Sequence, residues 1–208
     1  MNNIKLGYNM ELKHFPGIKT IISNDFFDKK IIFELITENK KTVYMSHSVT
    51  IRGGIIFVDS ERFLKLWRNS LCSTDKEISN LTKEGWRRDC KFHWAEDGFR
   101  KGIENPVPLA DICCTAHIIK ESVYAKYMWV FRKQISCKEK KYYSCSFVDG
   151  ITRTIWLLSN GVQSFPLHCY NPNETKYIAK LAGITENAYY IGLQDKDDKS
   201  KIEDELGI

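Results

Sequence analysis

A short polar segment, DGITRT at residues 149–154, separates a predicted strand from a predicted helix that ends at Gly161. Backbone N–H groups in the first turn of a helix have no intrahelical acceptor, and the helix dipole attracts anions to that end. Gly150 permits an unusual backbone angle and a close approach to a ligand. Arg153 adds a planar set of donors that matches a phosphate. The segment therefore predicts a phosphate site.

The same segment supports a second interpretation. Asp149 can cap the helix while Arg153, four residues later, pairs with it on the surface. An arginine in the first turn disfavours the helix by roughly a few tenths of a kcal/mol, and a bound anion would reverse that sign. Thr152 and Thr154 could donate hydroxyl hydrogen bonds to such an anion. The residues alone slightly favour surface pairing, because the glycines of a P-loop or Rossmann turn are missing.

A second polar group occupies residues 93–105, HWAEDGFRKGIEN. Asp97 and Glu104 could hold a divalent metal beside a phosphate, and Lys101 could neutralise charge. His93 is a candidate general base. Alternatively, the two acids only cap turns and the histidine packs beside its neighbouring tryptophan.

The surrounding residues 72–108 are rich in glycine, proline and tryptophan, and they predict an irregular loop that folds over a ligand. Asn105, followed by proline, predicts an extended entry into a strand at 109–118. Residues 122–133 predict a further strand or a helix–strand step, and residues 140–149 the strand that leads to Asp149.

Earlier in the chain, two apolar runs around residues 38–40 predict an antiparallel hairpin. Residues 53–59 predict a buried strand, followed by a helix that Ser60 caps. Strands and helices alternate late in the chain and not early. This order predicts a mixed α/β (α+β) domain with a partly antiparallel sheet.

The clearest predicted helix begins at Asn171. Asn171 is its N-cap, Pro172 its first residue, and Glu174 completes a capping box. Gly183 ends it. The last residues, 194–208, are acidic and predict a solvated tail, so we expect a single domain over residues 1–193.

Composition limits the classes of function. The net charge of +5 permits contact with nucleic acid or a phosphate ligand without requiring it, and no arginine stripe typical of a DNA reader is evident. Seven cysteines without a C-x-x-C pair exclude common zinc sites and predict reduced, mostly buried thiols. No run of 18 apolar residues and no secretory signal occurs, so we expect a cytoplasmic protein without membrane insertion.

Taken together, the two motifs resemble a known family. Residues 97–110, DGFRKGIENPVPLA, and residues 149–161, DGITRTIWLLSNG, resemble the patterns DGFxxGxxNPVPLA and NGITRTIWLLxxG of the plasmid fertility inhibition factor family. Asp149 replaces the asparagine of the second pattern. That segment is also similar to the phosphate-binding turn of the ParB/sulfiredoxin superfamily. Residues 1–85 contain no motif of the family.

The resemblance implies a ParB/sulfiredoxin-like single domain with a mixed, partly antiparallel sheet and an N-terminal hairpin extension, its core motifs lying at residues 86–183. Gly150 and Arg153 match the phosphate-binding glycine and arginine of the superfamily. Ile151 occupies the position of the sulfiredoxin cysteine. Because isoleucine cannot attack a sulfinic phosphoryl ester, sulfiredoxin activity is excluded.

The resemblance also implies a function: suppression of conjugative or T-DNA transfer through a type IV secretion system, by nucleotide-dependent nuclease action on the DNA in transfer. ATP or another nucleotide and Mg²⁺ are the implied cofactors. Arg153, Asp97 and Glu104 are the expected catalytic residues. The expected nucleotide- and phosphate-binding residues are Asp149, Gly150, Thr152, Arg153, Thr154, Lys101 and Asn105.

Two other functions remain open. One is a non-enzymatic inhibitor that binds the coupling protein or the substrate complex. The other is a nucleotide-dependent clamp around DNA, similar to ParB-type domains with CTP.

Overall fold

The computed structural model describes residues 19–22, 30–48, 50–70, 75–127, 131–185 and 189–191. These residues form nine strands, six α-helices and one short 3₁₀ helix. The strands are β1 (Lys19–Ile22), β2 (Lys30–Ile36), β3 (Thr42–Ser48), β4 (Gly53–Asp59), β5 (Val107–Pro108), β6 (Ala110–Tyr127), β7 (Phe131–Asp149), β8 (Ser164–Cys169) and β9 (Tyr189–Ile191). The helices are α1 (Ser60–Arg68), α2 (Lys76–Ser79), α3 (Lys83–Arg87), α4 (Phe92–Arg100), α5 (Ile151–Ser159) and α6 (Pro172–Ala182), with the 3₁₀ helix at Gly102–Glu104.

The strands form two mixed sheets. One has the order β1-β2-β3-β5 and the other the order β7-β6-β8-β4-β9. Only the β3–β5 and β6–β8 pairs are parallel among the described strands. The predicted mixed α+β class with a partly antiparallel sheet is therefore confirmed, and the predicted hairpin is β2–β3. The likeness to the ParB/sulfiredoxin superfamily stays a prediction, as does the single domain over residues 1–193; the tail at 194–208 lies outside the described residues.

Aromatic side chains join the layers of the core. The Phe33 and Phe57 rings, one from each sheet, meet edge to face at 5.5 Å. Phe63 of α1 lies edge to face with Phe165 of β8 at 5.8 Å, and both are fully buried. The N-cap of α1 is Asp59, whose side chain accepts the Arg62 N–H, and the prediction of a Ser60 cap is wrong. The Ser60 hydroxyl instead donates to the backbone carbonyl of Val162, which precedes β8.

The prediction of an irregular loop over residues 72–108 is wrong. The described part of this segment contains α2, α3 and α4. Phe92, Ala95 and Phe99 recur at helical spacing and are buried, and the Phe99 ring stacks on Trp156 of α5 at 4.2 Å. Gly98 hides this periodicity in the sequence, because glycine disfavours an isolated helix. Burial against α5 overrides that local preference.

The strands β6 and β7 form one long antiparallel hairpin of 18 and 19 residues. For the segment 122–133 the sequence predicted either a strand or a helix–strand step. Its described residues are all strand and form the outer end of this hairpin. The base of the hairpin is in the core, where Ile112, Cys114 and Cys145 are buried. Further out, Ile118 and Ile119 are 63% and 41% exposed.

Helix α6 begins as predicted, with Asn171 accepting from the N–H groups of Asn173 and Glu174. The Glu174 carboxylate accepts the N–H of Cys114 at 2.9 Å and so ties α6 to β6, whereas its capping-box bond to the Asn171 N–H stays a prediction. Gly183 ends the helix with extended backbone, and the next N–H donates to Phe57 of β4 at 2.8 Å.

The described cysteines are all free, and three of them are buried: Cys114, Cys145 and Cys169. Burial raises the pKa of Cys114 to about 12 and that of Cys169 to about 11, so these thiols stay protonated. Cys90 and Cys137 are exposed. In the described parts of the chain no helix has the length and apolar character needed to cross a membrane.

Ser70 connects the end of α1 to β7. Its buried hydroxyl accepts the Cys145 N–H at 2.7 Å and donates to the Cys145 carbonyl at 2.9 Å. Ser70→Ala leaves a buried N–H without an acceptor, and we expect a loss of about 1–3 kcal/mol in the free energy of unfolding, measured by chemical denaturation. Ser122→Ala, at an exposed position of the hairpin, should change it by less than about 0.5 kcal/mol. Equal effects of the two substitutions would contradict the assigned role of Ser70.

Candidate functional site

The polar segment singled out in the sequence lies where β7 ends and α5 begins. Gly150 has left-handed backbone angles, φ 89° and ψ 18°. A Cβ at this position would lie 2.7 Å from the Cα of Ala110 in β6 and 2.3 Å from the Nε of Arg153. Glycine is therefore required by the packing of this turn against β6, whether or not a ligand binds.

Asp149 and Arg153 pair as the second interpretation of the sequence predicts, but the predicted cap by Asp149 is wrong, because the N-cap of α5 is Gly150. The Asp149 carboxylate accepts from the Gly150 N–H at 2.7 Å and from Arg153 Nη2 at 2.5 Å. A carboxylate thus occupies the end of α5 where an anion was predicted. The Asp149 side chain is 71% exposed and that of Arg153 only 15%, so the acid can move into solvent while the guanidinium stays in place.

A cleft of about 450 Å³ opens beside this ion pair. Its lining combines a helix start, cationic and acidic groups and an exposed aromatic ring; the residues are Asp75, Lys91, Trp94, Ala95, Gly98, Val107, Phe147, Val148, Asp149, Gly150, Ile151, Thr152 and Arg153. The Nε of Arg153 is buried and has no hydrogen-bond partner within the described residues. A buried donor without an acceptor is one that a ligand or water can satisfy.

The predicted phosphate-binding residues separate into two groups. Thr152 lines the cleft together with the ion pair. Thr154 is fully buried and does not line it; its hydroxyl donates to the Gly150 carbonyl at 3.1 Å, so that proton is already used within the helix. Lys101 and Asn105 are exposed and also lie outside the lining.

The predicted acids do not join this cleft. Asp97 is exposed on α4 and pairs with Arg100 at 3.2 Å, and Glu104 is exposed in the 3₁₀ helix. Within the described residues, no three histidine, cysteine or acidic side chains form a group that could hold a metal. Asp97 and Glu104 therefore do not fit a magnesium site at the cleft. His93 is exposed and packs edge to face beside Trp94, its ring centroid 5.4 Å away.

The carboxylates that do line the cleft, Asp75 and Asp149, were not predicted as a pair. Asp75 precedes α2, and its carboxylate accepts the Phe147 N–H at 3.1 Å. Lys91 and Trp94 were also missed as lining residues, because their segment was interpreted as a loop. The helical spacing around Phe92 was the signal that could have placed them on the face beside the cleft.

Next to the cleft lies a histidine–aspartate pair that the sequence did not reveal. His168 of β8 is fully buried, and its Nδ1 lies 2.6 Å from a carboxylate oxygen of Asp111. Its Nε2 lies 3.1 Å from the Arg52 carbonyl oxygen. Both neighbours are acceptors, so the ring makes both bonds only when it has both protons. The acidic residue Asp111 within the predicted strand at 109–118 was the available signal.

This pair is adjacent to the Asp149–Arg153 pair through strand register. Asp111 is the direct partner of Asp149 in the β6–β7 ladder. The charges of Asp111 and Asp149, together with burial, raise the pKa of Tyr170, Asp111 having the largest effect. Acidic charge is thus concentrated where the two strands meet the cleft.

His47 of β3 packs against this pair from the other sheet. Its ring centroid lies 4.4 Å from that of His168. Burial, followed by the nearby charge of His168, lowers the pKa of His47 to about 4. His47 is therefore neutral in the folded protein at neutral pH.

Comparison with known proteins gives a consistent result. The sequence model of a family described as plasmid fertility inhibition factor matches residues 55–183, more than half of the chain. Protein osa of Shigella flexneri is 24% identical over 156 residues, which cover 74% of this chain and 70% of that protein.

A solved structure shows the same fold. It is the gold(I) cyanide derivative of Oncogenic Suppression Activity Protein, described as a plasmid fertility inhibition factor, with a TM-score of 0.60 and 18% identity. The alignment covers 91% of this chain and 82% of that one.

His47 predicts a pH dependence of stability. Between pH 6.5 and about 4 the unfolded chain binds a proton at this histidine that the folded chain does not, so stability falls as the pH falls through this window. We expect His47→Gln to flatten the dependence of the free energy of unfolding on pH between these values, measured by urea denaturation. His93→Gln, at an exposed position, should leave the wild-type profile unchanged. An unaltered slope in the His47 variant would show that this ring is not the titrating group.

Proposed function

Because the chain belongs to the plasmid fertility inhibition factor family, we propose that it suppresses conjugative or T-DNA transfer through a type IV secretion system, and that its cleft binds a nucleotide phosphate in doing so. The action would take place in the cytoplasm, on the DNA in transfer. The observation on which we base the nucleotide site is the position of Arg153: its buried Nε has no described partner, and its acidic partner is exposed.

A phosphate can replace the Asp149 carboxylate at this position. Its oxygens would accept from Nε and Nη2 of Arg153 and from N–H groups in the first turn of α5. The replacement exchanges one anionic partner of Arg153 for another, so the largely buried guanidinium is not left without an acceptor. The displaced carboxylate regains its hydration.

The other lining residues suit the rest of a nucleotide. Trp94 is 63% exposed on α4 and offers a ring face for a base, a contact that tolerates any base. Lys91, from the turn before α4, can neutralise a further phosphate. The volume of about 450 Å³ lies within the usual range of small-ligand sites.

We propose hydrolysis of phosphate esters, as a DNase with ATPase activity, as the enzymatic form of this function. Arg153 would stabilise the negative charge that develops on the phosphoryl oxygens. Asp149 and Asp75 line the cleft and are the acids available to orient a water molecule there. Asp97 and Glu104 are exposed outside the lining, so we no longer assign them this role.

One observation favours the alternative of an inhibitor that acts by binding another protein. Trp94 and Val148 are 63% and 65% exposed and line the same cleft. Exposed apolar groups of this kind are typical of contact surfaces. The coupling protein or the substrate complex would then cover the cleft, and no hydrolysis would be needed.

Arg153→Gln tests the nucleotide site. We expect ATP affinity, measured by calorimetry, to fall roughly 10- to 100-fold, because charge-assisted hydrogen bonds to phosphate are lost. Arg100→Gln removes a charge of the same type from the exposed side of α4 and should leave the affinity unchanged. Wild-type protein that binds no nucleotide, or equal losses in both variants, would overturn the proposed site.

Inhibition of conjugation separates the two mechanisms. If hydrolysis suppresses transfer, Arg153→Gln abolishes both DNA cleavage in the presence of Mg²⁺ and inhibition of transfer in a mating assay. If binding suppresses transfer, the same variant still inhibits, whereas Trp94→Ser does not. Circular dichroism of each variant checks that the fold is retained.

A further inference from the structure

The positive charge of the chain is concentrated in one structural feature. We define the ribbon as residues 116–127 and 131–143, the outer part of the β6–β7 hairpin. It contains seven basic residues against Glu121 and Glu139, a net charge of +5 that equals the net charge of the whole chain. The basic residues are Lys120, Lys126, Arg132, Lys133, Lys138, Lys140 and Lys141. The rest of the chain is therefore neutral overall.

The ribbon extends away from the five-stranded sheet. Strand β8 pairs with β6 only at Ala110 and Asp111, and β6 continues to Tyr127. Residues 118–122 and 136–141 are exposed on both strands. At roughly 3.3 Å per residue, the part beyond residue 118 extends about 30 Å.

Both faces of the ribbon are open to solvent at residues 118 and 119. Ile118 and Ile119 are neighbours on one strand, so they point to opposite faces, and both are exposed. A two-stranded hairpin alone is only marginally stable in water. A binding partner would therefore stabilise the two-stranded ribbon.

The two glutamates of the ribbon are already neutralised within it. Glu139 pairs with Lys120 at 3.4 Å. Glu121 lies 3.9 Å from Lys140 and accepts a hydrogen bond from the Tyr142 hydroxyl at 3.0 Å. The excess positive charge therefore comes from the five other basic residues, which are Lys126, Arg132, Lys133, Lys138 and Lys141.

Three of those residues are concentrated at the outer end. Lys126 pairs with Arg132 in the register of the strands, and Lys133 follows at the next position. Lys141, nearer the base, lies over the rings of Tyr143 and Tyr177, which position its ammonium group against α6.

We propose that the ribbon is a binding surface for the phosphate backbone of double-stranded DNA. A two-stranded ribbon has the width that the major groove of B-DNA accepts. Because both strands carry basic residues, the ribbon would bring positive charge to the phosphates on the two sides of such a groove, and the counterions of the DNA would be released on binding. The ribbon would hold the DNA partner of the proposed function, on which this inference rests, but it does not require nucleotide in the cleft.

Charge also argues against a second copy of the chain as the occupant. β7 is an edge strand and could pair with β7 of another molecule. That pairing would bring two ribbons, each with a net charge of +5, side by side. Lysines on an edge strand do oppose aggregation. Protection of the β7 edge does not, however, require the basic residues Lys120 and Lys126 on the neighbouring strand β6.

A triple variant of the outer end tests the surface. Lys126, Arg132 and Lys133 are all changed to Gln, and binding to a short labelled DNA duplex is measured by fluorescence anisotropy at several salt concentrations, without nucleotide. We expect affinity to fall on the order of 10- to 100-fold, and the slope of log K against log salt to decrease by up to about 3, because each lost phosphate contact contributes about 0.9.

The control removes the same charge elsewhere. Lys65, Lys76 and Lys180 are exposed on three different helices, and changing all three to Gln should leave affinity and salt slope near wild type. Equal losses in both triple variants, or no DNA binding by the wild type, overturn the proposal. Equal affinity and slope with single-stranded DNA would exclude the groove fit and also overturn it.

Sedimentation tests whether the ribbon binds a second copy of the chain instead of DNA. A wild-type dimer that the ribbon variant dissociates, with DNA affinity unchanged, would assign the ribbon to a second copy and overturn the proposal. The ribbon variant, measured in parallel by calorimetry, should bind ATP as the wild type does, because its substitutions lie outside the lining of the cleft. Loss of nucleotide binding with intact DNA binding concerns only the cleft, so failure of the proposed function and failure of the ribbon can be told apart.

Discussion

The close approach of Gly150 to Ala110 is the contact on which the arrangement of the cleft depends. It brings the end of β7 against the beginning of β6, with no room for a side chain between them. The left-handed turn at Gly150 then begins α5 and places Arg153 beside Asp149, the last residue of β7. The same junction sets Asp111 opposite Asp149, so two acids from different strands meet at one edge of the cleft.

Two acids in direct cross-strand register would repel each other if both were left without donors. Here each has its own. The buried ring of His168 contacts Asp111, whereas Asp149 accepts from Arg153 and from a backbone N–H in a solvent-exposed position. An anion that enters the cleft therefore competes with Asp149 alone. The interior pair can stay intact, because burial and the packing of His47 hold it in place.

Much of the local structure could be predicted from the sequence because it depends on neighbours in the chain. The β2–β3 hairpin, the cap at Asn171 and the turn before α5 all follow from turn residues, caps and periodicity. The helices of residues 76–100 could not be predicted in this way. They are short, one of them contains Gly98, and they exist because Trp86 and Phe99 are buried in the core.

The sequence by itself determined the family and the mixed α+β class, and it offered the pairing of Asp149 with Arg153 as one of two interpretations, since motifs and four-residue spacings are local properties. Only the tertiary structure decided which acids share the cleft with that arginine, because they come from distant segments of the chain. It also joined Asp111 to His168, 57 residues away. The sequence already places the net charge of +5 in one segment, and only the pairing of β6 with β7 shows that this segment is a two-stranded ribbon, exposed at residues 118–122 and 136–141.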